Sequence, residues 1–138
     1  MKQGTDYIGV GVGAFTLNER GEVLLMRRSL NKSMPGMWII PGGKVDFGES
    51  LTAAVIRETK EEVGVDIVID REFPMFDDIL PDEREHWVSG IFLAHIVGGV
   101  PEIREPEKCE EIGWFSLTEL PTPLAHSTRF AVDTFLKK

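Results

Sequence analysis

Glu58, Glu61 and Glu62 stand at i, i+3 and i+4, with Arg57 directly before them, in a stretch that runs from Leu51 to Val63. In a helix these three carboxylates share one face and converge. At on the order of 100° per residue, the mean direction of that face nearly coincides with that of the apolar Leu51, Ala54 and Val55. A solvated acidic face points away from the packed one, and this one does not. Carboxylates gathered beside a core-facing stripe repel one another unless a cation sits among them. All-oxygen ligation suits Mg²⁺, or Mn²⁺, with the remaining positions left to water and substrate phosphates. The chemistry available to such a group is to hold a divalent cation against a phosphate.

Local signals position that helix. Ser50 is its N-cap and Gly64 its C-terminal stop, so the helix is expected over Leu51 to Val63. Before it, the turn Pro41-Gly42-Gly43 lets the backbone approach a bound group closely.

Taken together, Gly43, Glu49, Arg57, Glu58, Glu61, Glu62, Gly64 and Val65 fall in one spacing that resembles the Nudix box, Gly-x5-Glu-x7-Arg-Glu-U-x-Glu-Glu-x-Gly-U, where U is a bulky apolar residue. Thr59 occupies one U position, a mild departure because its methyl can still pack. The box covers about a sixth of the 138 residues. The resemblance implies a Nudix hydrolase, a metal-dependent enzyme that cleaves a nucleoside diphosphate linked to another moiety, with an α/β/α sandwich in which a mixed sheet lies between helices. By the same resemblance Glu58 and Glu62 are inner metal ligands, Glu61 is a third, directly or through water, and the Gly43 carbonyl joins them. Arg57 is expected to hold Glu49 in an ion pair that braces the loop against the helix. For the general base, Glu58 is the first choice and Glu49 the second.

A second, less specific resemblance lies further on. Glu105-Pro106-Glu107-Lys108-Cys109-Glu110-Glu111, with Trp114 beyond it and Leu120-Pro121 closing the segment, is similar to the MutT-like, nucleoside-triphosphate branch of that family. In that branch an acid of this loop reaches the metal or the attacking water, and Glu107 and Glu110 are the candidates. An arginine before the Pro-Gly-Gly turn holds substrate phosphate there, which fits Arg28 best. Its neighbour Arg27 is sent to the opposite face by strand alternation, so at most one of the two serves. Trp38 reads as core or pocket wall, with core the base-rate choice, and Phe47, in the loop of the box, as pocket rim. The expected function is Mg²⁺-dependent hydrolysis of a nucleoside triphosphate, intact or oxidised, to the monophosphate and pyrophosphate. Pro81, some sixteen residues past the box, is the feature favoured by the branch that cleaves ADP-ribose and other nucleoside diphosphate sugars. A third reading, a Nudix module that binds a nucleotide without cleaving it, commonly goes with lost box glutamates, and all are present here. Relatives of this size often form homodimers, an expectation from the resemblance only.

The bulk properties agree with one globular domain over residues 1–138. Hydrophobic residues make up 42% and charged residues 28%, which sets disorder aside. Fifteen basic against 23 acidic residues give a net charge of −8, which argues against a nucleic-acid polymer as partner. An anionic small-molecule substrate then needs a local reversal of sign, from metal and a few basic side chains. Cys109 is the single cysteine, there is no signal-length apolar run and no membrane span, so a cytoplasmic location is expected. His126 and Ser127 lack a nucleophile-elbow pattern, which sets a hydrolase triad aside.

Strands are expected over Tyr7 to Leu17 and Glu22 to Arg28, joined as a hairpin by Asn18-Glu19-Arg20-Gly21. Trp38 to Ile40, Asp66 to Leu80 with a break at Pro74, His86 to Val97 and Ile112 to Phe115 complete the extended segments. In the first strand Gly9, Gly11 and Gly13 share one face. Such a bare face admits a tightly packed helix, the expected reading, or a flat base. The run from Asp77 to Glu85 reads as a solvated turn whose acids could add outer metal ligands. Leu124, Thr128, Ala131, Val132 and Phe135 give the tail a helical stripe that covers a sheet face.

Overall fold

The helix between Ser50 and Gly64 forms as its caps dictate. In the computed structural model, which describes residues 1–137, α1 spans Leu51–Val63. The Ser50 side chain accepts from the Ala53 N–H, and Gly64, at φ +76°, donates its N–H to the Lys60 carbonyl. A Cβ at Gly64 would press on the Arg104 guanidinium, which can swing away, but it could not escape the left-handed backbone. Gly64→Ala is therefore expected to lower stability by about 1 kcal/mol, read as a shifted urea midpoint at unchanged slope.

Among the described residues, eight strands pair into two sheets. They are β1 Gly9–Thr16, β2 Val23–Arg28, β3 Trp38–Ile39, β4 Gly42–Lys44, β5 Asp66–Glu72, β6 Phe76–Leu80, β7 Glu85–Gly98 and β8 Cys109–Phe115. The larger sheet is mixed. β1 runs parallel to β7 and antiparallel to β4, while β5 and β6 both pair antiparallel with the long β7. The smaller one is antiparallel, in the order β3-β2-β8. Where one mixed sheet is expected there are thus two. The turn at Asn18–Gly21 closes with hydrogen bonds, but the hairpin is reduced to a single bridge, Leu17 with Val23, after which β1 and β2 part into separate sheets.

The core has two halves, one under each helix. Val12, Leu24, Met26, Phe92 and Ala94 pack with Ala54, Val55 and Val63 of α1. Phe15, Val23, Leu25, Trp38 and Ile91 pack with Ala131 and Val132 of α2, His126–Leu136. The layering is helix, strands, helix. Apolar side chains alternate along β1 and β2 to both halves, so each strand is buried on two faces. No helix among the described residues is long and apolar enough to cross a membrane.

Among the described residues the glycine face of β1 meets strands and the turn before β4 rather than a helix, which corrects the helix-packing expectation. Gly9 lies under the Trp87 ring, Gly13 under the Ile40 side chain, and Gly11 beside Ser89 and the Gly43 carbonyl. In register, Gly9, Gly11 and Gly13 stand beside Trp87, Ser89 and Ile91 of β7. That surface is the floor of a cleft.

Candidate active site

The cleft encloses about 640 Å³ and runs from the Pro41-Gly42-Gly43 turn across β1 and β7 to β6. Two of the three glutamates of α1 point into it. Glu62, 6% exposed, accepts one hydrogen bond from the Gly42 N–H at 2.8 Å. Glu58 lies so close to Gly43 that a Cβ there would collide with its carboxylate. This explains the glycine: any side chain at position 43 would evict Glu58.

Burial dominates the electrostatics of this pair. The Glu62 carboxyl is pushed up to about 8, chiefly by loss of solvent; the Gly42 N–H and Lys108 pull it down, and Glu58 and Glu105 push it further up. Glu58 is likewise held above the usual carboxylate range by burial, partly offset by Arg57. The buried Glu62 and the partly buried Glu58 share only the Gly42 N–H and one arm of the Arg57 guanidinium, little positive charge for two neighbouring carboxyls. A divalent cation would supply it, and Mg²⁺ is commonly held by one or two carboxylates together with phosphates and water. Glu58, Glu62 and the Gly43 carbonyl are the groups that fit it.

Glu61 behaves differently. Its side chain is half exposed and turns to Arg57, 3.3 Å away, so among the described residues no three acids form a ready-made metal cage. Arg57 is the hub of the loop. It forks onto both oxygens of Glu49, at 2.6 and 2.8 Å, and also reaches Glu58 at 2.7 Å, Asp46 at 3.3 Å and the Lys44 carbonyl at 3.2 Å. The fork, with the Asp46 N–H, holds the Glu49 carboxyl down to about 2. A carboxylate that acidic is a poor proton acceptor near neutrality, and its position fits the bracing role.

The two arginines of β2 separate as alternation requires. Arg27 is consumed by Glu110 at 3.2 Å and Glu111 at 2.6 Å on β8. Arg28 lines the cleft, where Ser33 fixes it through its carbonyl and hydroxyl at 3.1 and 3.0 Å. Among the described residues it has no carboxylate within salt-bridge distance, so its charge is available to an anion. Of the loop acids, Glu110 faces Arg27, and neither it nor Glu107 lines the cleft. The acid whose field reaches Glu62 is Glu105. Trp38 is 8% exposed and packs edge-on against Phe115, with ring centroids 5.0 Å apart, in the core half under α2. Phe47 is fully exposed and does not line the cleft.

Several cleft residues carried no clear signal in the sequence. Lys2, Lys32, Lys44 and Lys108 line it with Arg28, five cations against the four acids Glu58, Glu62, Asp78 and Glu85. That local balance reverses the sign of a chain with net charge −8. Asp78 and Glu85 belong to the run expected to be a solvated turn, yet Asp78 lies within β6 and is buried. Alternation along β7 was the usable signal for Trp87, Ser89 and Ile91, which share the face of the β1 glycines. Ser127 lines the cleft as well, while burial pushes the Cys109 thiol up to about 11, so it stays protonated and inert.

The model of the NUDIX domain matches residues 8–135 of the chain. The structure is similar to that of a MutT NUDIX hydrolase from Burkholderia pseudomallei, with a TM-score of 0.83 at 40% identity, over 93% of this chain and 98% of that one. The chain is 32% identical over 123 residues to the 8-oxo-dGDP phosphatase NUDT18 of Mus musculus, covering 87% of this chain but only 36% of the mouse protein. It is 29% identical over 115 residues to an ADP-ribose pyrophosphatase of Methanocaldococcus jannaschii, covering 83% of this chain and 67% of that protein.

Proposed function

This chain belongs to the NUDIX domain family, and from that membership and the geometry of its cleft we propose that it is a Mg²⁺-dependent pyrophosphohydrolase that converts a nucleoside triphosphate, intact or oxidised, to the monophosphate and pyrophosphate. The observation that carries the proposal is the meeting, in one cleft, of the buried Glu62 and the partly buried Glu58 beside Gly43 with Arg28, which has no carboxylate partner among the described residues. When bound, the cation neutralises phosphate charge and lowers the pKa of a water. The chain's own residues do the rest. Arg28 and Lys108 hold phosphate oxygens, and Lys44 adds to the same field. Glu58 accepts a proton from the water that attacks an inner phosphorus, the anhydride P–O bond breaks, and pyrophosphate leaves. Arg57 acts as a positioning residue through Glu49 and Glu58.

The triphosphate is favoured over a diphosphate sugar because Lys108, within Glu-Pro-Glu-Lys-Cys, lines the cleft and acts on both Glu58 and Glu62. The second reading is hydrolysis of ADP-ribose, favoured by Pro81 and by the archaeal relative. A homodimer is part of the proposal on the strength of the resemblance alone. The test is release of pyrophosphate and orthophosphate with Mg²⁺ across canonical and oxidised nucleoside di- and triphosphates and ADP-ribose. Pyrophosphate from a triphosphate is the expected result. Cleavage of ADP-ribose alone selects the second reading, and binding without any cleavage overturns both.

A further inference from the structure

Asp78 is a cleft residue that this reaction does not use. It sits in the middle of β6, directly across the ladder from Trp87, and both line the cleft. The residue is 7% exposed, and among the described residues its Oδ1 has no hydrogen-bond partner. A buried carboxyl oxygen without a donor is unfavourable, so its presence in a cleft points to a donor on the ligand. Its neighbour Glu85 is already engaged, accepting from the Trp87 indole N–H at 2.8 Å, which fixes the plane of the ring. Trp87 covers Gly9 and Ile40 covers Gly13, and between them lies Gly11, flanked by the Ser89 hydroxyl and the Gly43 carbonyl and without a side chain of its own. That slot suits a flat ring.

We propose that Asp78 reads the nucleobase, its carboxylate accepting from the ring N–H and the adjacent exocyclic amino group of a guanine-type base lying between Trp87 and Ile40. The inference rests on the nucleotide reading of the cleft. Two oxygens of one carboxylate match two parallel N–H donors. Only a guanine-type edge offers a ring N–H next to an amino group. Uracil and thymine flank their ring N–H with carbonyl oxygens, which a carboxylate repels, and adenine and cytosine set an unprotonated ring nitrogen beside the amino group. Burial pushes the Asp78 carboxyl up, His126 pulls it down and Glu85 pushes it up again. What the group lacks is donors.

Calorimetric titration of the whole chain with GMP and IMP, which differ only in the exocyclic amino group, tests this directly. GMP is expected to bind about 10- to 100-fold more tightly, the worth of one hydrogen bond to a charged acceptor. Asp78→Asn should bring that ratio close to one. Equal affinities in the native chain, tighter binding of AMP, CMP or UMP, no binding of GMP at millimolar concentration, or an unchanged preference in Asp78→Asn would each overturn the assignment. Should the variant not fold, the GMP and IMP comparison on the native chain decides alone. Monophosphate binding needs no cleavage, so this result stands or falls apart from the pyrophosphohydrolase reading.

Discussion

Glu62→Gln is expected to lower Mg²⁺-dependent pyrophosphate release by roughly a hundred- to a thousandfold, the loss that follows removal of one preorganised electrostatic contact. The substitution keeps the shape and the acceptor for the Gly42 N–H but removes the charge that makes the site attract a cation. It carries a second signature, on stability. Without metal, Glu62 ionises near 8 in the fold against 4.5 for an ordinary glutamate. The folded chain therefore holds a proton across that window that the unfolded chain releases. Stability is highest below the lower value and falls as pH rises toward the upper one, by roughly 1.4 kcal/mol per pH unit for one such group. Thermal unfolding in chelator from pH 5 to 8.5 should show the native chain losing stability relative to Glu62→Gln, and adding Mg²⁺ at pH 8 should restore it in the native chain alone. Parallel curves for the two proteins would contradict the electrostatic account of the site.

Arg57→Lys should reduce kcat roughly 10- to 100-fold, the range for losing a group that orients a metal ligand. A lysine keeps the charge but cannot fork onto Glu49 while reaching Glu58 and the Lys44 carbonyl. The readout that separates positioning from mere loss of folding is the Glu49 titration. In the native chain the Arg57 fork holds that carboxyl to about 2, so its stabilising effect is present above 4.5 and is lost only as pH falls toward the lower value. In the variant the Glu49 carboxyl should titrate closer to 4.5, visible in carboxyl NMR shifts. An unchanged Glu49 titration together with unchanged kcat would remove Arg57 from the site.

What the sequence disclosed, it disclosed through local rules. Ser50, Gly64 and the spacing of Glu58 and Glu62 are fixed within one helix, so periodicity and capping chemistry suffice to place them. Arg28 and Arg27 were separable by alternation alone. The rest depends on pairings between distant segments. Asp78 reads as part of a charged turn until the register of β6 with β7 sets it against Trp87. Glu110 reads as a metal candidate until β8 pairs with β2 and hands it to Arg27. The glycines of β1 announce a bare face, but only β7 tells what stands beside it. Nor does the Asn18–Gly21 turn reveal that its two strands diverge after one bridge, because which sheet each joins is decided by β4, β7 and β8.

That divergence has a mechanical side. Within each sheet, backbone hydrogen bonds resist shear; across the seam beyond Leu17 and Val23, chiefly packed side chains do, and packed layers give by small sliding steps. Gly43 lies in β4, and α1, which carries Glu58 and Glu62, packs on β4, β5 and β1, so these three ride on one plate. Arg28 and Lys108, at the adjoining ends of β2 and β8, ride on the other. A cation would thus be held within the hydrogen-bonded network of one sheet and its helix, while a phosphate chain must bridge both sheets, so a change at the seam is expected to alter the span to the anion more than the spacing of the acids.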